Sequence, residues 1–161
     1  MKKLKLYLDT SVMSHLFADD APDKMADTNK LWESFISEEY DISISAVVIA
    51  EINKCPEPKR SEILEKMALI QPQILPSTVE TKELARAYIE SGVLREKSFA
   101  DCLHIAYAVI NYCDAIVSWN FKHLVNFKII DKIRVVNAIN RYKAINIISP
   151  TMLIQEDNHE D

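Results

Sequence analysis

Four oxygen-bearing side chains of this sequence each stand where a predicted strand ends or a predicted helix begins. Asp9 follows the alternating segment 4–8, and Asn120 follows a short apolar strand pattern. Glu51 and Asp101 lie in the early turns of two helices that are otherwise apolar. Such oxygens suit Mg²⁺ or Mn²⁺, ions that activate water and clamp a phosphodiester during in-line displacement. Together the four residues therefore predict a divalent-metal site.

Each acid also has a purely structural interpretation. Asp9 could do no more than support the cap of the helix that follows it, and Glu51 could lie on a helix end that turns outward. Ser98 and Asp101 have capping-box spacing. His104, three residues after Asp101, fits either a satisfied core histidine or a supporting partner of the site. We favour the chemical interpretation because all four candidate oxygens fall on the same kind of boundary.

The predicted elements alternate between strands and helices, which favours an α/β fold with a parallel sheet covered on both faces. Right-handed crossovers would bring the carboxyl ends of all strands to one edge of that sheet. Strand patterns are found at 4–8, 40–44, 114–120 and 144–148, with an extended connector or short strand at 72–76. Asp9 and Asn120 then end two strands at the same edge, where ligands bind in open parallel sheets.

Composition excludes several function classes. The 161 residues contain one glycine, so neither a Walker loop nor a dinucleotide fingerprint can be written. The net charge of −5 argues against broad electrostatic wrapping of nucleic acid. Three cysteines without a CxxC pair, and no secretory or membrane-length apolar segment, predict a reduced cytoplasmic protein. We expect one domain over residues 1–150, and an acidic, frayed tail over 151–161.

The chain resembles the PIN domain family, particularly the VapC-type toxins of toxin–antitoxin systems. The similarity spans nearly the whole chain and rests on Leu6–Ser11, Ser45–Ile52, Phe99–Ala106, Ile116–Asn120 and Ile147–Pro150. This resemblance implies a three-layer α/β/α sandwich with a central parallel sheet. It also implies metal-dependent cleavage of RNA.

By this resemblance, Asp9, Glu51 and Asp101 fall on the three acidic positions of the family's site. Ser118 falls on the family's usual Thr or Ser after the fourth strand. Asn120 departs from the pattern, because many members carry a fourth Asp there. An asparagine can ligate or orient water through its carbonyl oxygen but contributes no charge. Whether the site holds one metal or two, and whether it keeps a full catalytic rate, therefore stays open.

The mechanism that we expect from these positions is metal-assisted hydrolysis. Asp9 and Asp101 would hold Mg²⁺ or Mn²⁺, and Glu51 would support the metal shell or orient the attacking water. Asn120 and Ser118 would position water or phosphate. Hydroxide would attack phosphorus, and the family implies 5′-phosphate and 3′-hydroxyl ends.

Partners of this chain are also implied by the resemblance. Toxins of this kind pair with a small antitoxin and often form homodimers. The apolar residues of 26–35 and 63–69 could form such surfaces or could be core. Arg95, Lys97 and Lys122 flank the site segments and could contact RNA, although each could equally be ordinary surface charge.

Two other functions stay open at this stage. A PIN-fold binding protein with little or no nuclease activity is compatible with Asn120 and the acidic net charge. A phosphatase or phosphoryl-accepting domain would use Asp9 as its nucleophile. A haloacid-dehalogenase-like site would need a second acid two residues after Asp9, where Ser11 stands.

Overall fold

The computed structural model describes residues 2–154, so the segment 155–161 of the predicted tail lies outside the described residues. Its centre is a five-stranded sheet in the order β3-β2-β1-β4-β5, and all neighbouring strands are parallel. The strands are β1 (Lys5–Leu8), β2 (Asp41–Ser45), β3 (Gln73–Leu75), β4 (Ala115–Val117) and β5 (Asn146–Ile148). The predicted α/β fold with a parallel sheet is therefore confirmed.

Within residues 2–154, seven α-helices connect and cover the strands. They are α1 (Thr10–Ser14), α2 (Pro22–Ile36), α3 (Ala46–Asn53), α4 (Lys59–Ile70), α5 (Val79–Glu90), α6 (Phe99–Ile110) and α7 (Phe127–Ile139). Consecutive strand residues point to opposite faces, yet Leu6, Tyr7 and Leu8 are all 0% exposed. Both faces of the central strand are therefore buried, as an α/β/α sandwich requires.

The order of the strands decides which side chains meet. β1 lies between β2 and β4, with Leu8 in register with Val117 and Tyr7 in register with Ser43. The residues that follow β1 and β4 therefore emerge side by side. The backbone N–H of Asp9 extends this pairing by donating to the carbonyl oxygen of Val117 (3.3 Å).

Local contacts fix two boundaries of the described chain. The last helix, α7, begins at Phe127 because the Asn126 side chain accepts hydrogen bonds from the backbone N–H groups of the first turn. At the other end of the described chain, Pro150–Leu153 form a 3₁₀ turn against α2, where the Thr151 hydroxyl donates to Asp27 (3.2 Å).

None of the helices within residues 2–154 is both long enough and apolar enough to cross a bilayer. The longest, α2, has 15 residues and presents Leu31, Trp32 and Phe35 to the core. This helix therefore packs one apolar face on the core.

Candidate active site

Asp9 occupies the turn between β1 and α1 and is only 3% exposed. One carboxylate oxygen, Oδ1, accepts hydrogen bonds from the backbone N–H of Ser11 (3.1 Å) and from its hydroxyl (2.5 Å). The other, Oδ2, accepts from the Ser118 hydroxyl (2.6 Å). Asp9 is therefore the N-cap of α1 and also a buried carboxylate at the sheet edge, so its two interpretations are compatible.

Burial raises the pKa of Asp9 above its ordinary value. The two serine hydroxyls lower the pKa, as does His104 when its ring carries a proton, while the nearby charge of Asp101 raises it further. Within residues 2–154, no Lys, Arg or His side chain forms an ion pair with this carboxylate. A buried carboxylate held only by neutral donors is costly in the ionised form, and a bound cation would relieve that cost.

The serine hydroxyls around Asp9 also fix the backbone that follows β4. The N–H of Trp119 donates to Ser11 Oγ (2.8 Å), and the N–H of Asn120 donates to Ser118 Oγ (2.9 Å). The carboxylate and the strand end beside it are therefore held in one hydrogen-bonded frame.

The Asn120 side chain closes the turn after β4. Its Oδ1 accepts a hydrogen bond from the N–H of His123 (2.9 Å), and its backbone carbonyl accepts from Leu124 and Val125. The carbonyl group that could ligate or orient water thus also shapes the turn. One lone pair of Oδ1 remains for a second partner.

Asp101 lies in the first turn of α6 and pairs with a histidine that the sequence analysis did not single out. Its Oδ2 is 3.1 Å from Nδ1 of His123, and both side chains are about a quarter exposed. Ser98 makes no capping hydrogen bond from its side chain, so the predicted capping box is absent. In the sequence, only its position three residues after Asn120 indicates that His123 lies near the site.

Glu51 pairs with His104 in a chain of hydrogen bonds that runs into the core. Oε1 of Glu51 is 2.9 Å from Nε2 of His104, and Nδ1 of the same ring is 2.6 Å from the Tyr7 hydroxyl. That hydroxyl also contacts the Ser45 hydroxyl (2.7 Å). His104 is therefore a core histidine that also contacts Glu51, one of the predicted site residues.

The pKa of Glu51 is lowered, although burial by itself would raise it. The hydrogen bond to His104, together with the charge of that ring when it is protonated, more than offsets the effect of burial. The Glu51 side chain is 38% exposed. The hydroxyl of Thr10 is buried beside this carboxylate without a well-formed hydrogen bond among residues 2–154, which leaves a polar group available to water or to a ligand.

These residues fit a divalent cation in their donor chemistry. Asp9 and Asp101 are close enough for the charge of one to raise the pKa of the other, and their oxygens are hard ligands. No three His, Cys, Asp or Glu side chains in the described part of the chain are grouped tightly enough to hold an ion unaided. A site with few direct protein ligands suits Mg²⁺, which retains several waters.

Comparisons with known proteins agree with this architecture. The PIN domain family matches residues 6–122 of the chain. The VapBC2 structure from Rickettsia felis, bound to a DNA fragment from their promoter, superposes with a TM-score of 0.55 at 16% identity, covering 91% of this chain and 98% of that chain.

A second similar structure is Mycobacterium tuberculosis VapC20, described as a sarcin–ricin loop cleaving toxin. It superposes with a TM-score of 0.58 at 18% identity, covering 73% of this chain and 92% of that chain. The search of curated proteins returns no match. At these identities the two structures establish the fold.

Proposed function

Because the chain belongs to the PIN domain family, we propose that it is a Mg²⁺- or Mn²⁺-dependent endoribonuclease that hydrolyses RNA phosphodiester bonds. We further propose that it is the toxin of a type II toxin–antitoxin system. The observation that supports the nuclease most strongly is the buried Asp9 carboxylate. It lies near Asp101 at the carboxyl edge of the sheet, with no cationic side chain of residues 2–154 paired to it.

In this proposal the chain's own residues hold and orient the reacting groups. A bound Mg²⁺ or Mn²⁺ would supply an activated water and neutralise charge on the phosphate. Asp9 and Asp101 would hold the ion, and Glu51 would orient water near it. Ser118 fixes the orientation of Asp9 through its 2.6 Å hydrogen bond. Asn120 would position water or phosphate with the free lone pair of its carbonyl oxygen.

His123 would act as a positioning residue for Asp101. A carboxylate that ligates a metal is generally held by a hydrogen-bonding partner, which fixes its orientation. The Nδ1 of His123 is 3.1 Å from Oδ2 of Asp101, which leaves Oδ1 free to face an ion. The N–H of His123 is in turn held by Asn120. Asn120 thus supports Asp101 indirectly, although it lacks the charge of a fourth acid.

The proposed partner is a small antitoxin, which the resemblance to VapC-type toxins implies. The two apolar segments could form partner surfaces or core, and most of their large apolar side chains are core, since Leu31, Trp32, Phe35, Ile63 and Met67 are buried. Leu64 and Leu69 remain exposed by 40% and 57%, with Ile36 at 44%. We propose that these exposed side chains contribute to antitoxin binding or to a homodimer, and that the protein acts in the cytoplasm.

The test is cleavage of a mixed-sequence RNA by the purified chain with Mn²⁺, Mg²⁺ or chelator. We expect cleavage with either metal and none with chelator. Asp101→Asn should abolish it, while Asp114→Asn serves as the matched control. Asp114 lies at the opposite end of β4, where its carboxylate accepts the N–H of Lys5 (2.7 Å). Equal activity of the two variants would contradict the assignment of Asp101.

A PIN-fold binding protein is the second candidate, and Asn120 is the observation that favours it. The carboxamide replaces a fourth acid, and its oxygen already accepts one hydrogen bond from the turn. If a folded, antitoxin-free sample cleaves no RNA with any metal, the binding function is preferred. Asn120→Asp is then the next variant, and a gain of cleavage would show that the missing charge limits the site.

A further inference from the structure

A cavity of about 510 Å³ opens beside the acidic site, with His123 on the wall between them. Three separate segments contribute its cations. Arg95 and Lys97 come from the stretch that precedes α6, Lys122 comes from the turn after β4, and Lys132 comes from α7. We name this cavity the cationic pocket. Its four formal positive charges are notable in a chain whose net charge is −5.

No carboxylate from the described part of the chain lines the cationic pocket. The nearest acid in sequence, Glu96, is held by two hydrogen bonds to Arg86 (2.8 and 2.6 Å), and neither side chain lines the pocket. The Nζ of Lys132 lies 3.5 Å from the Gly92 carbonyl oxygen, at the limit of a hydrogen bond. Among residues 2–154, no carboxylate therefore neutralises these cations inside the pocket.

The pocket adjoins the site through one side chain. His123 lines the pocket, and its Nδ1 is also 3.1 Å from Oδ2 of Asp101. A ligand that occupied both the acidic site and the pocket would need two neighbouring anionic groups. One would bind a metal ion at the acidic site, and the other would bind the cations of the pocket. A nucleic acid strand has that form, because phosphates repeat along its backbone.

We propose that the cationic pocket binds a backbone phosphate of the RNA strand, next to the phosphodiester that lies at the acidic site. This inference rests on the proposed nuclease function and adds the place where the strand is held. Lysine side chains bind phosphate as point charges, and arginine binds it through paired N–H donors. The lining contains no Phe, Tyr or Trp, so the pocket is suited to phosphate rather than to stacking of a base.

Binding of a short fluorescent RNA tests the proposal in the full-length chain carrying Asp101→Asn, which blocks cleavage. The pocket variant adds Lys122→Ala and Lys132→Ala, both at exposed positions. Its charge-matched control adds Lys82→Ala and Lys143→Ala, two exposed lysines that do not line the pocket. Affinity is measured by fluorescence anisotropy over a series of salt concentrations.

Loss of the one phosphate contact should reduce the salt slope by up to about 0.7, the contribution of one neutralised phosphate on a single strand. At about 0.15 M salt the same relation gives roughly a 4-fold loss of affinity. The control pair should bind like the parent. DNA of the same sequence should lose affinity by the same factor, because the phosphates are shared. An unchanged slope in the pocket pair, or a loss confined to RNA, would overturn the proposal.

Comparing RNA cleavage by the unaltered chain with RNA binding by the two lysine-pair variants separates this proposal from the proposed function. If the unaltered chain cleaves RNA with Mn²⁺ but the pocket pair binds like the control pair, the pocket assignment alone fails. If the unaltered chain cleaves nothing while the pocket pair loses affinity, the nuclease function fails and the phosphate pocket stands.

Discussion

The site contains two carboxylate–histidine pairs of similar geometry in different surroundings. Glu51 and His104 are 2.9 Å apart, and the histidine is 4% exposed. Asp101 and His123 are 3.1 Å apart, and both are about a quarter exposed. The first histidine uses its second nitrogen on the buried Tyr7 hydroxyl, whereas the second histidine faces the cationic pocket.

This difference indicates that similar contacts serve different purposes. The pair on Glu51 ties a site residue to the sheet, because the hydrogen bonds continue through Tyr7 to Ser45 at the end of β2. The pair on Asp101 links α6 to the turn after β4, where both side chains are partly exposed to solvent. We therefore expect loss of His104 to affect mainly stability, and loss of His123 to affect mainly activity.

The largest effect should come from Asp101→Asn. A carboxylate that holds the ion contributes several kcal/mol to transition-state stabilisation, so kcat with Mn²⁺ should fall by about 1,000-fold. The substitution keeps an acceptor for His123, and the free energy of unfolding in chelator should change by less than about 1 kcal/mol. Single-turnover RNA cleavage and urea unfolding measure the two quantities. A variant that loses activity only in proportion to its unfolded fraction would contradict the proposed role.

His104→Ala should be the most destabilising change at the site. It opens a cavity in the core and removes the hydrogen-bond partner of the Tyr7 hydroxyl and of Glu51 Oε1. We expect the free energy of unfolding to fall by about 3 kcal/mol, measured with urea in the presence of chelator. His15→Ala is the control, since that ring is partly exposed and bonds only the Ser11 carbonyl in the described structure. Equal losses in both variants would remove the distinction between the two pairs.

The sequence was sufficient to predict the elements that carry the candidate site residues. Asp9 stands where the alternating segment of β1 changes to helical spacing, and β1 and α1 follow that change. The parallel sheet followed from the alternation of elements, and the placement of Glu51 in an apolar helix was also visible.

The contacts between distant segments could not be predicted in the same way. His123 lies in 121–127, where no periodic pattern exists, and its partner Asp101 is 22 residues away in sequence. The capping box failed because the 3₁₀ turn Glu96–Ser98 directly precedes α6, and Ser98 does not adopt the extended backbone of a typical N-cap. Tertiary structure, rather than spacing, decided both cases.

His123→Ala should lower activity by about 10- to 100-fold, which is the usual cost of removing a group that orients a metal ligand. The free energy of unfolding should change by less than about 1 kcal/mol, because the ring is partly exposed and leaves no sealed cavity. His123→Asn supplies the conservative variant, since its amide can still donate to Asp101. A purely structural role would instead give equal activity per folded molecule in both variants, over the whole range of Mn²⁺ concentration.

Asp9 differs from Glu51 and Asp101 in two ways. It is the most buried acid of the candidate site, and no histidine of the described chain lies within hydrogen-bond distance of it. Its pKa is raised in the folded state, chiefly by burial, so the native state binds the proton more tightly than the unfolded state. Ionisation of buried Asp9 therefore lowers the free energy of unfolding. This loss is absent below the unfolded pKa of about 4, and it grows as pH rises through the folded pKa.

Asp9→Asn should therefore stabilise the metal-free protein at pH 7 by about 1 kcal/mol, while lowering kcat by a factor similar to that for Asp101→Asn. The amide oxygen can still accept from the Ser11 N–H, and the amide nitrogen can donate to the Ser118 hydroxyl. Urea unfolding in chelator from about pH 4 to 8 should show that the free energy of unfolding of the variant increasingly exceeds that of the unaltered chain as pH rises. A less stable variant at pH 7 would mean that the serine hydroxyls outweigh the cost of burial, in which case the site would be satisfied without a cation.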